Sequence, residues 1–292
     1  MKLKDINKED KILLPRALTG LDCLLKIIFR KKGSQIVAVS NNCCLEVALS
    51  IISNNHKIHL MDISQKTLNP ISQDFKKAYE LGSRIFIVTN TYGISGWNDY
   101  LDNLKNNEVL VIDDAAQAFP GERNKNSLIG LKGDFGLFSF GSTKQMQAQG
   151  GLITLNNQKF KSLFKLCESN LKNYDLPENK AYLENIRNYQ YEFIKNNNFY
   201  RNKILCKNLV KDLIPSLSPI KKNNFNTKLF NSLLSKTDGI KNKHLENSNI
   251  YKKYFANNPR VAIFESTLDN CLWRFPIYLK FNKNIVNEIR IN

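Results

Sequence analysis

The sequence holds three histidines, three methionines and two tryptophans in 292 residues. It has no apolar run approaching the ~18 residues that a membrane-spanning helix needs. So few histidines leave little for a metal centre. His56 and His59 flank a β-like run without further ligand types nearby, and His244 stands alone among lysines. Six cysteines (Cys23, Cys43, Cys44, Cys167, Cys206 and Cys271) form no CxxC pair and no metal-finger spacing. They are expected to be free, largely buried thiols in a reducing compartment, and no metal is expected. The start, Met1 to Asp5, lacks an apolar signal region, so the expected location is cytoplasmic.

Acidic residues are scarce too: 26 Asp+Glu face 43 Lys+Arg, a formal charge of +17. Residues 1–150 carry 19 basic and 15 acidic side chains, residues 151–292 carry 24 and 11, so the excess lies in the second half. Most of those bases are lysines scattered among asparagines, whereas bidentate recognition of phosphates and bases favours arginine. A solvated surface is expected, able to attract an anionic small substrate, and no nucleic-acid partner. Apolar residues at 42% and charged ones at 24% describe an ordinary globular chain, long enough for one large and one small domain.

Apolar runs recur through the first half: Gln35–Val39, Lys57–Met61, Arg84–Thr89, Val109–Ile112, Phe135–Phe140 and Leu152–Leu155. Most are continuous rather than alternating, the pattern of strands buried on both faces of a parallel sheet. Helical spacing lies between them at Leu21, Leu24, Leu25, Ile28 and Phe29, again across Val47–Ile52, and over Phe75–Leu81. The class expected is α/β, a mostly parallel sheet flanked by helices. From Gln158 onward helix-like segments dominate (Phe160–Leu171, Tyr200–Leu213, Thr227–Leu234), and a last β-like run spans Leu272–Phe281. The division expected is a large domain over 12–215 and a smaller C-terminal one over 216–292, the boundary lying near 205–225.

Two segments carry chemistry. Val111-Ile112-Asp113-Asp114-Ala115-Ala116-Gln117 runs a buried strand into two carboxylates, at the sheet edge where open α/β folds bind ligands. Gly133-Asp134 through Phe138-Ser139-Phe140 to Lys144 ends an apolar and small-residue run in one lysine, before Gly150-Gly151. Desolvation of that lysine would lower its pKa and free the amine as a nucleophile. An acid at a strand edge and such a lysine ~30 positions on suit pyridoxal phosphate, the lysine holding the cofactor and the acid its pyridine nitrogen. The same residues are also compatible with a helix cap and a surface lysine.

These motifs resemble the DegT/DnrJ/StrS-type sugar aminotransferases, of the aspartate-aminotransferase fold type (fold type I of the pyridoxal-phosphate-dependent transferases). The family shows a strand, then Glu/Asp-Asp-Ala-Ala-Gln/His, and Gly-Asp-x-x-x-Phe-Ser-Phe-x-x-x-Lys followed by a glycine turn. The match is strongest over residues 109–156. The resemblance implies that Lys144 holds pyridoxal 5′-phosphate and later shuttles a proton. It also implies that Asp114 pairs with the pyridine nitrogen, Gln117 lies near the phenolic oxygen and Ser139 binds the phosphate. Thr19 and Gly20 match a Ser/Thr-Gly element at a helix start, which suits a phosphate. Asp113, on the opposite side of the strand, is expected to be dispensable.

The implied activity is transamination of a nucleotide-linked keto sugar with glutamate as donor, for polysaccharide or glycoconjugate precursors, by a homodimer. Asn198-Phe199-Tyr200-Arg201 weakly resembles an element reaching across that dimer. Related dehydratases carry histidine in place of the lysine, which Lys144 opposes. Departures are Cys43-Cys44 where an aromatic residue usually covers the cofactor, Gln149 in place of Glu, Leu21-Asp22 after Gly20, and a small domain expected to be reduced. They support a second reading, a non-catalytic paralogue serving as a subunit or regulator.

Overall fold

Six of the apolar runs are strands, with ends within two residues of those read from the sequence. The computed structural model describes residues 3–104, 108–123, 127–172, 227–264 and 271–280. Tyr200–Leu213, Asn198–Arg201, Cys206 and the expected domain boundary lie outside the described residues. In chain order the elements begin with β1 (Lys11–Leu14), α1 (Ala17–Lys32), β2 (Ile36–Ser40), α2 (Leu45–Ser53), β3 (Lys57–Met61), α3 (Ser72–Glu80) and β4 (Ser83–Thr89). They continue with α4 (Asp99–Leu104), β5 (Leu110–Asp114), β6 (Phe135–Ser139), β7 (Gly151–Leu155) and α5 (Lys161–Lys172). After these come α6 (Thr227–Ser235), α7 (Thr237–Phe255), β8 (Val261–Ile263) and β9 (Ile277–Leu279).

A seven-stranded sheet runs in the order β1-β7-β6-β5-β4-β2-β3. From β6 through β3 every pairing is parallel, while β7 is antiparallel to both β6 and β1. The fold is thus the expected mostly parallel α/β layer. Alternation along the strands divides the core in two. Val37, Val39, Ile85, Ile87, Leu110 and Ile112 pack with α1, α2 and α5. Ala38, Phe86, Val88 and Val111 face the other way, onto α3 and α4.

Three departures have simple causes. The Lys57–Met61 run was expected to be buried on both faces, but β3 is the edge strand and Leu60 is 55% exposed. Strand β1, four residues long, is too short to stand out in the sequence. Of the Leu272–Phe281 run, Phe281 lies outside the described residues, and among the described ones only Ile277–Leu279 forms a strand, paired with β8. Pro276 has no N–H to give a ladder, and Cys271 and Trp273 before it bond to the loops at Tyr92 and at Thr143–Gln145 instead. Helix α1 ends at Gly33, whose φ of 71° lets its N–H close on the Phe29 carbonyl at 2.8 Å.

Candidate active site

Strand parity decides which side chains meet at the C-terminal edge of the sheet. Asp114 follows Leu110 and Ile112 on the α1/α2 face, and Asp113 follows Val111 on the α3/α4 face. On β6 the residue opposite Asp114 is Leu137, so Ser139, two positions on, shares the face of Asp114. The sequence-predicted pair Asp114 and Ser139 is therefore brought to one side of the layer.

The adjacent aspartates have separate fates. Asp113 is fully buried and receives Arg123 Nη2 at 2.7 Å on each oxygen, Asn90 Nδ2 at 2.9 Å and the N–H groups of Gly130 and Lys132. It is a structural anion. Asp114 accepts a bond from the Ala116 N–H at 2.9 Å. Burial pushes its carboxyl up to about 6, against the opposing pull of that N–H and of Lys144. A carboxylate kept so little solvated favours a cationic partner.

Lys144 lies in the loop joining β6 to β7. Phe140 donates to the Gly150 carbonyl and receives from the Gln149 N–H, both at 2.8 Å, which closes the loop at its base. Burial lowers the pKa of the Lys144 ammonium, while Asp114, Cys44 and Glu46 act in the opposite sense. The desolvation expected from the sequence is present. The Gly133-Asp134 motif is structural: the Asp134 carboxylate receives the Val111 N–H at 2.8 Å and Asn157 Nδ2 at 2.7 Å, fastening the start of β6 to β5.

Gly151 is the ladder partner of Ser139. A Cβ on Gly151 would stand 2.5 Å from the Ala17 Cα, so its missing side chain lets the start of α1 come up beside Ser139. A hydroxyl and a helix N-terminus side by side suit a phosphate. Thr19 and Gly20 lie within the opening turns of that helix. The Thr19 N–H bonds the Arg16 carbonyl at 3.2 Å, and the Gly20 Cα faces Leu14 and Ile153 in the core. Arg16, just before the helix, pairs with Glu46 of α2 at 2.8 Å.

Gln117, expected from the sequence, is joined at the site by residues the sequence reading left out. The Gln117 Oε1 accepts the Tyr92 N–H at 3.2 Å, and the Tyr92 carbonyl accepts the Trp273 N–H at 2.8 Å. Trp273 Nε1 donates to the Thr143 carbonyl at 2.7 Å, and Gln145 Nε2 to the Cys271 carbonyl at 3.2 Å. The C-terminal segment is thus tied to the lysine loop. Lys144 Nζ stands 4.3 Å from the Trp273 ring centroid and Arg274 Cζ 4.4 Å from it. Trp273 and Arg274 come from ~130 residues away; in the sequence Trp273–Ile277 resembles an early strand of the family's small domain, and no local signal places it beside Lys144.

Burial pushes the Cys43 and Cys44 thiols up to about 12 and 11, helped at Cys43 by Cys44 and Asp114 and at Cys44 by Glu46 and Asp114. Both are neutral thiols rather than nucleophiles. By surface area Cys44 is exposed, unlike Cys23, Cys167 and Cys271, so crowding by neighbouring atoms rather than full enclosure raises its thiol, and the expectation of buried thiols does not hold for it. His56 is structural, its ring bonded to the Gln35 N–H and the Leu25 carbonyl. Among the described residues no cluster of three or more His, Cys, Asp or Glu could hold a metal ion, and no helix is long and apolar enough to cross a membrane.

The family match makes the chain a pyridoxal-phosphate-dependent enzyme of the aminotransferase class, and the α/β fold agrees with it. More narrowly, the chain belongs to the DegT/DnrJ/EryC1/StrS aminotransferase family, whose model matches residues 16–290. Its fold is similar to Helicobacter pylori PseC, an aminotransferase of pseudoaminic acid biosynthesis, at 14% identity and a TM-score of 0.65 over 94% of this chain and 66% of that one. The E. coli GDP-4-keto-6-deoxy-D-mannose-3-dehydratase matches at 15% identity and a TM-score of 0.65, over 94% of this chain and 68% of that one. S. venezuelae DesV matches at 13% and 0.66, over 96% and 67%. The chain spans about two thirds of the length of these three proteins.

The residues present fit pyridoxal phosphate. Asp114 is a buried carboxylate with one N–H donor and no arginine, as a pyridine nitrogen requires, and Lys144 is a desolvated amine on the same side. Ser139 and the α1 N-terminus offer phosphate donors, and Trp273 supplies an aromatic ring beside the lysine.

Proposed function

We propose that the protein transaminates a nucleotide-linked keto sugar, with glutamate as amino donor, in the making of polysaccharide or glycoconjugate precursors. The observation that carries this reading is the desolvated Lys144 amine electrostatically coupled to buried Asp114. The bound cofactor would supply the electron sink for a substrate carbanion. Asp114 would hold the ring nitrogen protonated, Gln117 would present its amide beside the ring, and Ser139 would fix the phosphate. Released by substrate, Lys144 Nζ would be the base that takes a proton from carbon and returns it. Trp273 would set its ring beside the amine. PseC, of similar fold, is an aminotransferase, and Lys144 stands where the family's dehydratases have histidine, which favours amino transfer over dehydration.

Cys43-Cys44 in place of the usual aromatic favours a second reading, a non-catalytic paralogue acting as a subunit or regulator. Visible absorbance of the purified chain with pyridoxal phosphate separates the two. A lysine-linked band that glutamate converts to the aminated cofactor, and a keto-sugar nucleotide then restores, supports the transaminase. A stable band that glutamate leaves unchanged supports the paralogue, and no band removes both. The functional unit in this reading is a cytoplasmic homodimer, for which sedimentation at assay concentration is the check.

A further inference from the structure

A cavity of about 410 Å³ opens at the N-terminal edge of the parallel strands, the edge opposite the one that carries Asp114 and Ser139. Its floor is apolar and buried: Ile28 from the end of α1, Ile85 and Leu110 from the starts of β4 and β5, and Leu163 from the start of α5. Helix α1 runs between the two places. Its N-terminus stands beside Ser139, its last turn lines the cavity, and 16 residues of helix span ~24 Å. The cavity shares no lining residue with the site around Lys144.

The mouth is cationic. Lys31, Lys32, Arg84 and Lys159 line it beside one acid, Glu108, and all five residues are exposed. Arg84 is held in place: its Nη1 donates to the carbonyls of Tyr79 at 3.1 Å and Ser83 at 2.9 Å, and its guanidinium lies 4.6 Å from the Tyr79 ring centroid. Among the described residues none of the three lysines has a carboxylate within ion-pair distance. Lys31 and Lys32 also complement the C-terminal dipole of α1, a role that does not account for Arg84 and Lys159. An apolar floor under a cationic mouth fits an organic anion with an apolar body. The body would displace water from Ile28, Leu110 and Leu163, and the charged head would stay among the cations at the rim. A bare inorganic anion would leave the floor unused, and a neutral hydrocarbon would leave the positive charge unmatched. The volume falls in the range of small-molecule sites, ~300–1,000 Å³.

We propose that this cavity is a second ligand site, for a small organic anion whose alkyl or aryl body lies on the apolar floor and whose carboxylate sits among the cations at the mouth. It stands apart from amino transfer and does not depend on which sugar or donor the enzyme uses. Binding is read without turnover, so a failure here is distinct from a failure of the glutamate reaction.

Calorimetric titration of the full chain, loaded with pyridoxal phosphate and freed of excess cofactor, is the experiment, with octanoate as the probe and acetate and octanol in parallel. Octanoate should bind at one site per chain, at least ~10-fold more tightly than acetate, which lacks the chain, or octanol, which lacks the charge. Arg84→Gln combined with Lys159→Gln should weaken it by ~10-fold or more. Ser162→Trp, which sets an indole at the exposed rim, should abolish binding. All three positions are exposed, and circular dichroism checks that the variants remain folded. Lys144→Ala should leave the octanoate affinity unchanged, which separates this cavity from the active site. Absence of octanoate binding, acetate or octanol binding equally well, unchanged affinity in the double variant or in Ser162→Trp, or loss of binding in Lys144→Ala would each overturn the proposal.

Discussion

Arg123 Nη2 lies 2.7 Å from both carboxylate oxygens of Asp113, and this pairing divides the labour between two adjacent aspartates. Asp113 neutralises a buried guanidinium on one face of the sheet, which leaves Asp114, on the other face, as the carboxylate proposed for the cofactor. Asp113→Asn, which the sequence suggested would be mild, is instead expected to cost stability. Leaving the Arg123 side chain, 8% exposed, without its counter-charge costs ~3–5 kcal/mol, seen as a shift in the urea midpoint. Asp114→Asn should retain the fold and slow the glutamate half-reaction by about two orders of magnitude, the loss of one buried charge-assisted bond. The opposite pattern would place the chemistry on Asp113.

The raised Asp114 carboxyl predicts a pH signature in the cofactor-free protein. A folded pKa of about 6 lies above the ordinary carboxylate value, so protonated Asp114 is favoured in the fold. Its contribution is complete below pH ~4 and is lost as pH rises through about 6. Relative to Asp114→Asn, wild type should therefore lose up to ~3 kcal/mol between pH 4 and pH 7. Unfolding curves of both proteins at matched pH give this difference directly. A constant difference across that range would show that Asp114 is not desolvated.

Lys144→Ala should abolish the lysine-linked visible band and amino transfer while leaving the melting temperature within a few degrees, because the residue sits in a loop beyond β6. Lys144→Arg should fail in the same way, since a guanidinium stays protonated and cannot act as the nucleophile. Activity in either variant would remove Lys144 from its role.

Gly93 has a φ of 101°, and a Cβ there would stand 2.5 Å from the Cys271 carbonyl oxygen. Gly93→Ala should therefore displace residues 271–273, lift Trp273 from Lys144 and shift tryptophan emission to the red. Strain of this kind is worth ~1–3 kcal/mol, enough to lower the midpoint of unfolding visibly. Unchanged emission would mean that Trp273 keeps its seat by the Thr143 and Tyr92 bonds alone.

The sequence by itself determined the α/β layer and the central chemistry. Buried strands announce themselves as continuous Val, Ile and Phe runs; spacing from such runs marks Asp113, Asp114 and Lys144 as candidates, and the family resemblance adds Ser139 and the choice of Asp114. Parity along β5 even separates Asp114 from Asp113. The tertiary structure alone decided what surrounds them. Nothing local marks Arg123 as the partner of Asp113, nor Trp273 and Arg274 as neighbours of Lys144, because each contact closes between distant segments. The seat of Trp273 depends on a positive φ at Gly93 and on backbone carbonyls at Tyr92 and Thr143, groups that every residue carries and that no sequence pattern distinguishes. The glycine at 151 shows the same limit: in the sequence Gly150-Gly151 reads as a place where backbone can approach a ligand closely, and only the packed fold shows that at 151 the close neighbour is the start of a helix beside Ser139.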